Sequence, residues 1–227
     1  MLISYSMNAW NSDSVDKESV FEVFAEVVKA TANGRRLELM ELMAQGEHSV
    51  DELTRLTGMA TTTTSAHLQT LNRAGLVSKR RERTSIYYRL SGDDVAELFT
   101  AAKRVALNRY PRLREVLDAY MGEPGAQGPV IDPAAVTSEM FVIDVRPVEE
   151  YDAGHFPGST SLPLAELADR IGEIPTDREV VVYCRGELCR LAREAAVLLR
   201  AHGLDAKAMD EGVVEWRASK EIDLGVA

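Results

Sequence analysis

The 227-residue sequence predicts two domains of different class: an α+β winged helix-turn-helix unit, then an α/β unit with a parallel sheet. Three observations predict it. Residues 13–121 run through short amphipathic helix patterns into a charged β-hairpin pattern and one long helix pattern. Residues 122–129, Gly-Glu-Pro-Gly-Ala-Gln-Gly-Pro, hold three Gly and two Pro, which forbids regular structure and marks a linker. Residues 130–227 alternate strand-like and helix-like runs, the order of a parallel sheet covered on both faces.

Apolar residues make up 45% of the chain and charged residues 27%, a globular composition. No apolar run nears the ~20 residues needed to span a bilayer. Met1–Met7 lacks the basic and apolar segments of a signal peptide. A cytoplasmic protein with no membrane partner is expected. Its two cysteines, five positions apart, make a poor structural staple and fit reduced thiols. The net charge of −10 is uneven. Residues 1–122 carry 16 Lys+Arg and 16 Asp+Glu; chain totals of 26 and 36 leave 10 and 20 for residues 123–227. The acidic half is a poor match for nucleic acid, and DNA binding by the first half needs a local basic cluster.

The first helix pattern covers residues 13–31, with Asp13 or Ser14 as cap and an apolar stripe of Val20, Phe21, Phe24, Val27 and Val28. Asn33-Gly34 ends it. A second runs from Arg35 to Gln45, followed by a turn at Gly46-Glu47-His48. Ser49-Val50-Asp51-Glu52 is a capping box that starts a third helix, stopped by Gly58. Thr61 to Gly75 holds the next. Four consecutive threonines suit an exposed first turn, where hydroxyls meet phosphate and methyls meet thymine. Leu68 and Leu71 mark its buried side. Two short helices joined through a Gly-containing turn make a helix-turn-helix. Leu76–Arg80 and Ser85–Leu90 are the arms of a hairpin, and Lys79, Arg80, Arg81, Arg83 and Arg89 supply the basic cluster. Thr62, Thr63, Ser65, His67 and Gln69 on the helix, with Arg81 and Arg83 on the wing, are the expected contacts to a double-stranded DNA operator. A helix pattern from about Val95 to Met121, kinked or divided at Pro111, is too long and apolar for one small domain. With the first helix it is read as a homodimer interface.

Residues 18–118 resemble the ArsR family of winged-helix transcriptional repressors. Thr62-Thr63-Thr64-Ser65-Ala66-His67-Leu68, Leu71-Asn72-Arg73-Ala74-Gly75-Leu76-Val77 and Tyr87-Tyr88-Arg89-Leu90 carry the resemblance. It implies a homodimer that releases its operator when an inducer binds. Many members sense metals through cysteines in the helix-turn-helix. This chain has none before Cys184, so no metal site or cofactor is expected.

In the second unit, Phe141–Val145, Glu179–Tyr183 and Asp205–Met209 read as buried strands, and Leu167–Ile171 and Leu191–His202 as helices. Sites in such sheets form at the carboxyl ends of strands, where Cys184 and Asp144 fall. Tyr183-Cys184-Arg185-Gly186-Glu187-Leu188-Cys189-Arg190 therefore joins a strand end to a helix N-terminus. Free backbone N–H groups and the helix dipole there push a thiol toward thiolate, with Arg185 and Arg190 adding to the push. Cys184 is expected to be the activated nucleophile.

Residues 130–222 resemble a rhodanese domain. The resemblance rests on Asp144-Val145-Arg146-Pro147 with Glu150-Tyr151, Gly154-His155-Phe156-Pro157-Gly158, Val181-Val182-Tyr183-Cys184-Arg185-Gly186, and Gly212 through Trp216. It implies that the loop cysteine accepts a sulfane sulfur as a persulfide, cradled by backbone N–H groups. The loop departs from the common rhodanese pattern: Gly186 lies two after the cysteine, Cys189 stands where Arg is frequent, and Arg190 follows. This arrangement resembles fused ArsR–rhodanese proteins. Cys184-x5-Arg190 also matches the oxyanion loop of cysteine phosphatases, against which the intervening Cys189 counts. Asp144 and Arg146 are expected to brace loops, and Trp216 to pack the last helix.

Three functions follow. The first is a repressor that senses or handles reactive sulfur through Cys184 and Cys189, with a sulfane-sulfur donor or small thiol as partner. The catalytic set is then Cys184, Arg185, Gly186, Cys189, Arg190 and Asp144. The second is a rhodanese-type sulfurtransferase tethered to DNA, with Cys184 as nucleophile and Cys189 as resolving thiol. The third, an arsenic- or metal-responsive repressor, has two soft ligands but no third cysteine.

Overall fold

The computed structural model describes residues 16–122 and 128–226. Helix α1 (Lys17–Thr31) is capped by Asp16, whose carboxylate accepts from Ser19 N at 2.8 Å. The expected caps Asp13 and Ser14 lie outside the described residues, as do positions 123–127 of the expected linker. Helix α2 (Gly34–Met43) begins where the Asn33 side chain accepts from Arg35 and Arg36 N–H. Helix α3 (Val50–Thr57) carries the full Ser49/Glu52 capping box and stops at Gly58, whose φ of +64° is the left-handed conformation glycine adopts without strain. Helix α4 (Thr61–Arg73) buries Thr64, Leu68 and Leu71. Strands β2 (Val77–Glu82) and β3 (Ser85–Leu90) form the wing hairpin, its first arm starting one residue later and running two residues further than the pattern suggested. Strand β1 (His48–Ser49), expected as part of a turn, pairs instead with Tyr88 and Tyr87 on the outer edge of β3. Pro111 divides the long helix into α5 (Asp93–Arg109) and α6 (Pro111–Met121), since a proline lacks the N–H that would continue the ladder.

The second half is a five-stranded, all-parallel sheet in the order β4-β8-β7-β5-β6: β4 is Val130–Ile131, β5 Phe141–Asp144, β6 Thr160–Ser161, β7 Val180–Tyr183 and β8 Ala206–Met209. Its helices are α7 (Val148–Asp152), α8 (Leu164–Arg170), α9 (Leu191–Ala201) and α10 (Val213–Ser219). The central strand shows why its sequence is apolar throughout. Val180 and Val182 face one layer, with Leu167 of α8 and Ala195, Ala196 and Leu199 of α9. Val181 and Tyr183 face the other, with Val213 and Trp216 of α10. A strand buried on both sides loses the period-two alternation of a half-exposed one.

The two halves share a core. Val214 of α10 is fully buried among Leu39, Met40, Leu53, Leu68 and Phe99 of the winged helix, and Leu188 of the cysteine loop packs against the same cluster. Burying a valine side chain stabilises by roughly 1.5–3 kcal/mol. Lys103 of α5 is ion-paired with Glu187 of the loop at 3.0 Å and, more closely, with Glu215 of α10. Gln45, just past α2 and wholly buried, donates to the Arg185 carbonyl at 3.2 Å and accepts from Arg146 Nη1 at 3.0 Å.

Of the apolar stripe of α1, Val27 packs against this core and most of the rest faces outward. Val20, Phe21 and Phe24 are 57–62% exposed, as Val116 and Tyr120 of α6 are to a similar degree.

Candidate functional site: a two-cysteine loop seated on the winged helix

The loop between β7 and α9 is fixed on all sides by backbone. A Cβ on Gly212 would stand 2.4 Å from Cys184 O and 2.5 Å from Gly186 N, and one on Gly186 would meet Val214 and Glu215 at 2.6–3.0 Å. Only glycine at both places lets the start of α10 lie against the loop. Cys189 N donates to Gly186 O at 2.9 Å, which closes the turn. Both thiols are free. The N–H groups of Gly186 and Ala192 point at the Cys184 sulfur, and those of Arg185 and Leu191 at the Cys189 sulfur, so donors do converge on the loop.

The two thiols stand in different surroundings. Cys184 is only 3% exposed, and burial pushes its thiol well up, beyond what the two backbone donors offset. Cys189 is partly exposed and is held down at about 7, first by the hydrogen bond it receives from Cys184, then by its own backbone donors and the charge of Arg185. The Cys184 S–H thus has two acceptors in reach, the Cys189 sulfur and, at 3.3 Å, the Cys189 carbonyl. The two sulfurs share one hydrogen-bonded site, so the proton held between them belongs to the pair.

The charged neighbours also depart from expectation. Arg185 lies in a bidentate pair with Glu150 of α7 at 2.6–3.1 Å, bracing the loop while its charge favours the Cys189 anion. Arg190 is exposed, ion-paired with Glu194 and laid over the Tyr120 ring at 5.5 Å. Asp144 is fully buried with both carboxylate oxygens on Arg146 at 2.6–3.1 Å, a pair that also holds Gly154 O and Gln45. With both oxygens engaged by Arg146, Asp144 suits the bracing expected of that pair, and among the described residues neither oxygen is bonded to a loop sulfur. Trp216 is buried against Phe156 and Tyr183.

Sequence reasoning missed Glu41 and Gln45. Glu41, on the last turn of α2, has Oε1 sealed from solvent with no hydrogen-bond partner. Burial first, then the negative charges of Cys189 and Glu215, push its carboxyl up to about 8. The one signal in the sequence was two polar residues interrupting the apolar run Leu39-Met40-Leu42-Met43-Ala44.

The residues expected to meet DNA all keep some access to solvent. On α4, Thr62, Thr63 and Gln69 are exposed and Ser65 and His67 half-buried, while Thr64 turns inward and donates to Ala60 O at 3.2 Å. The first turn of α4 has no side-chain cap, so its backbone donors stay free. Arg81 and Arg83 are exposed at the hairpin tip, where Arg83 takes a φ of +54°. Arg80 is instead held by Glu47 and Glu82 and lies over the Tyr87 ring. Among the described residues, no cluster of three or more His, Cys, Asp and Glu could hold a metal, and no helix is long and apolar enough to cross a membrane.

Known proteins match along the whole chain. The profile of bacterial regulatory proteins of the arsR family matches residues 33–79, and that of rhodanese-like domains matches residues 130–219. The HTH-type transcriptional regulator Rv0324 of Mycobacterium tuberculosis is 43% identical over 215 residues, 92% of this chain and 94% of that one. A protein of Allochromatium vinosum named sulfurtransferase is 30% identical over 82 residues, 36% of this chain and 76% of its own. Among solved structures, the homodimeric winged helix-turn-helix DNA-binding domain of Mb0332 from Mycobacterium bovis is 46% identical. That alignment spans 44% of this chain and 94% of that domain, with a TM-score of 0.41. With the Rv0324 likeness running through both halves, this chain belongs to the ArsR family of winged-helix transcriptional regulators and carries a rhodanese-like domain in its C-terminal half.

Proposed function

We propose that this regulator is a cytoplasmic, homodimeric repressor that releases its operator when reactive sulfur is captured at the Cys184–Cys189 loop. The observation that carries the reading is the seating of that loop. Leu188 enters the winged-helix core, Glu187 pairs with α5, and the Arg185 carbonyl is bonded to Gln45. A bond made inside a loop so tightly held strains contacts that the DNA-binding half depends on. Interiors are close-packed, and such strain is relieved by shifting an element rather than by compression.

In this reading Cys184 takes the sulfane sulfur from a persulfide or polysulfide, with release of the donor's thiol, and Cys189 closes the bridge with release of sulfide. Double-stranded operator DNA meets Thr62, Thr63, Ser65, His67 and Gln69, with Arg81 and Arg83 on neighbouring phosphates. The exposed apolar face of α1 and α6 is buried by a second copy of the chain.

The experiment is a gel shift on the protein's own upstream DNA, with intact mass from the same tube, before and after a polysulfide pulse. Added sulfur or a loss of two hydrogens together with release of DNA is expected. Cys184→Ser should abolish both. Release that persists in a Cys184→Ser, Cys189→Ser double variant would refute the sensor.

A second reading is a sulfurtransferase tethered to DNA. The similarity to the Allochromatium protein of that name favours it. Multiple turnovers of thiosulfate to thiocyanate, with DNA still bound, would select it.

A further inference from the structure

The rhodanese-like half meets the wing across a cleft of about 600 Å³. Gly46, in the turn after α2, lies so near the end of α7 that a Cβ on it would stand 2.7 Å from Ala153 Cβ, and both residues line the cleft. The wing supplies Ser78 and Arg89, which are direct partners across β2 and β3 and so share one face of the hairpin. Met43 and Leu90 add apolar surface, and Gly92 starts α5 there without a side-chain cap. The rhodanese-like half supplies Arg217 of α10.

The charges that line this cleft do not balance. Glu47 is taken by Arg80 at 2.6 Å. Asp93 is faced by Lys220, which stands outside the lining, at 3.9 Å. Lys79, Arg89 and Arg217 are left without an ion pair to any described residue. Arg217 is half-buried and makes one hydrogen bond, donating from Nη2 to Ala153 O at 3.1 Å. Its Nε is sealed from solvent with no partner. Burial lowers the proton affinity of this guanidinium, and the charge of Asp93 offsets that only in part. A guanidinium carries five N–H donors, and native structures leave few buried donors unsatisfied.

We propose that this cleft binds a small organic molecule with a tetrahedral oxyanion head, a phosphate or a sulfur oxyanion, held between Arg217 and the wing residues Arg89 and Lys79. Such an anion supplies the acceptor and the counter-charge that Arg217 lacks. Guanidinium forks match oxyanions, and the bonds they form are charge-assisted. The Ser78 hydroxyl adds a further donor. The cleft is larger than a bare phosphate or sulfate, and Met43 and Leu90 give an organic body an apolar wall. A polyanion such as DNA is a poor occupant, because the half that provides Arg217 carries 10 Lys+Arg against 20 Asp+Glu. No residue of the cysteine loop lines the cleft, so the site stands independently of sulfur capture. A ligand that bonds both Arg89 and Arg217 ties the wing to the rhodanese-like half and stabilises their docked arrangement.

The test is isothermal titration calorimetry of the full-length protein at about 0.15 M sodium chloride, which screens loose surface binding. Phosphate, thiosulfate and phenyl phosphate are the probes. One site per chain is expected, with phenyl phosphate tighter than phosphate because its ring meets Met43 and Leu90. The stronger of the phosphate and thiosulfate arms names the head group. Arg89→Ala and Arg217→Met should each weaken the tightest probe about tenfold or more, the loss of one charge-assisted bond. Arg112→Ala, an exposed arginine outside the cleft, should leave it unchanged. Arg89 is exposed, so its variant keeps the test decisive should Arg217→Met not fold. Binding that neither cleft variant weakens overturns the proposal, as does the lack of any probe with a Kd below about 10 mM. Loss of operator binding in both variants without oxyanion binding assigns the cleft to DNA phosphates and overturns it equally.

Discussion

Replacing Gln45 with alanine tests whether the two halves are one mechanical body. Gln45 is wholly buried and makes three hydrogen bonds: to the Glu41 and Arg185 carbonyls and from the Arg146 guanidinium. Alanine leaves Arg146 Nη1 and the Arg185 carbonyl without this partner in a site closed to water. A bond to a charged group contributes roughly 1.5–3 kcal/mol, and an orphaned buried carbonyl costs roughly 1–3 kcal/mol. The two are not additive because both lie in one network, so about 3 kcal/mol is expected. For a chain of this length that lowers Tm by roughly 6–12 °C. The assay is urea and thermal unfolding at one protein concentration, since a dimer makes stability concentration-dependent. The variant should also split the transition, with Trp216 fluorescence reporting the rhodanese-like half separately from helix content. A change below about 0.5 kcal/mol with coincident transitions would mean that the Gln45 contacts do not join the halves.

Other predictions concern the wing, the loop and pH. Arg81→Ala with Arg83→Ala should weaken operator binding and reduce the salt slope by about 2, read from titrations at several salt concentrations; Arg80→Ala, whose partners are Glu47 and Glu82, should change the slope less. Gly212→Ala drives a Cβ to 2.4 Å from the Cys184 carbonyl, so the loop must move. Sulfur uptake measured by intact mass should fall at least tenfold on the order of magnitude that misplaced reacting groups show. Glu41, raised from 4.5 to about 8, gives stability that is fully present below pH 4.5 and is lost as pH rises through 8. Glu41→Gln should therefore be less sensitive to pH than the wild type over this window, and equal slopes in denaturant titrations would contradict the burial of that carboxyl.

The elements that were legible in the sequence are those whose signals are local. Ser49 with Glu52, Gly58, Pro111 and the paired apolar runs of the wing each act within a few residues, and each stands where the pattern put it. The depth at which Cys184 lies was hidden because a helix N-terminus is visible in a sequence and burial is not. Cys184 does receive the predicted backbone donors, but the close approach of Gly212 and α10 closes the loop over it, and desolvation outweighs them. The surroundings of Asp144 were hidden for the same reason. Its strand-end position fits a catalytic group, and only the fold reveals that Arg146 occupies both of its oxygens. The strands β4 and β6, two residues each at the sheet edges, are too short for periodicity to register.

The seam between the halves was beyond reach for a further reason, and it changes how a signal can travel. Two domains on a Gly/Pro-rich linker suggest independent modules, in which chemistry at one leaves the other untouched unless a third surface intervenes. Here Val214 and Leu188 contribute to the winged-helix core, and Lys103 and Gln45 are shared by both halves. A sulfur bridge within the loop and an altered α2 then become two descriptions of one packing change. Thermodynamic linkage makes the effect reciprocal: if sulfur capture weakens operator binding tenfold, operator binding must weaken sulfur capture tenfold. Equilibrium titration of the loop with and without operator DNA measures that factor directly. A value of one with both sites occupied would require the shared core to transmit nothing, against the packing of Val214.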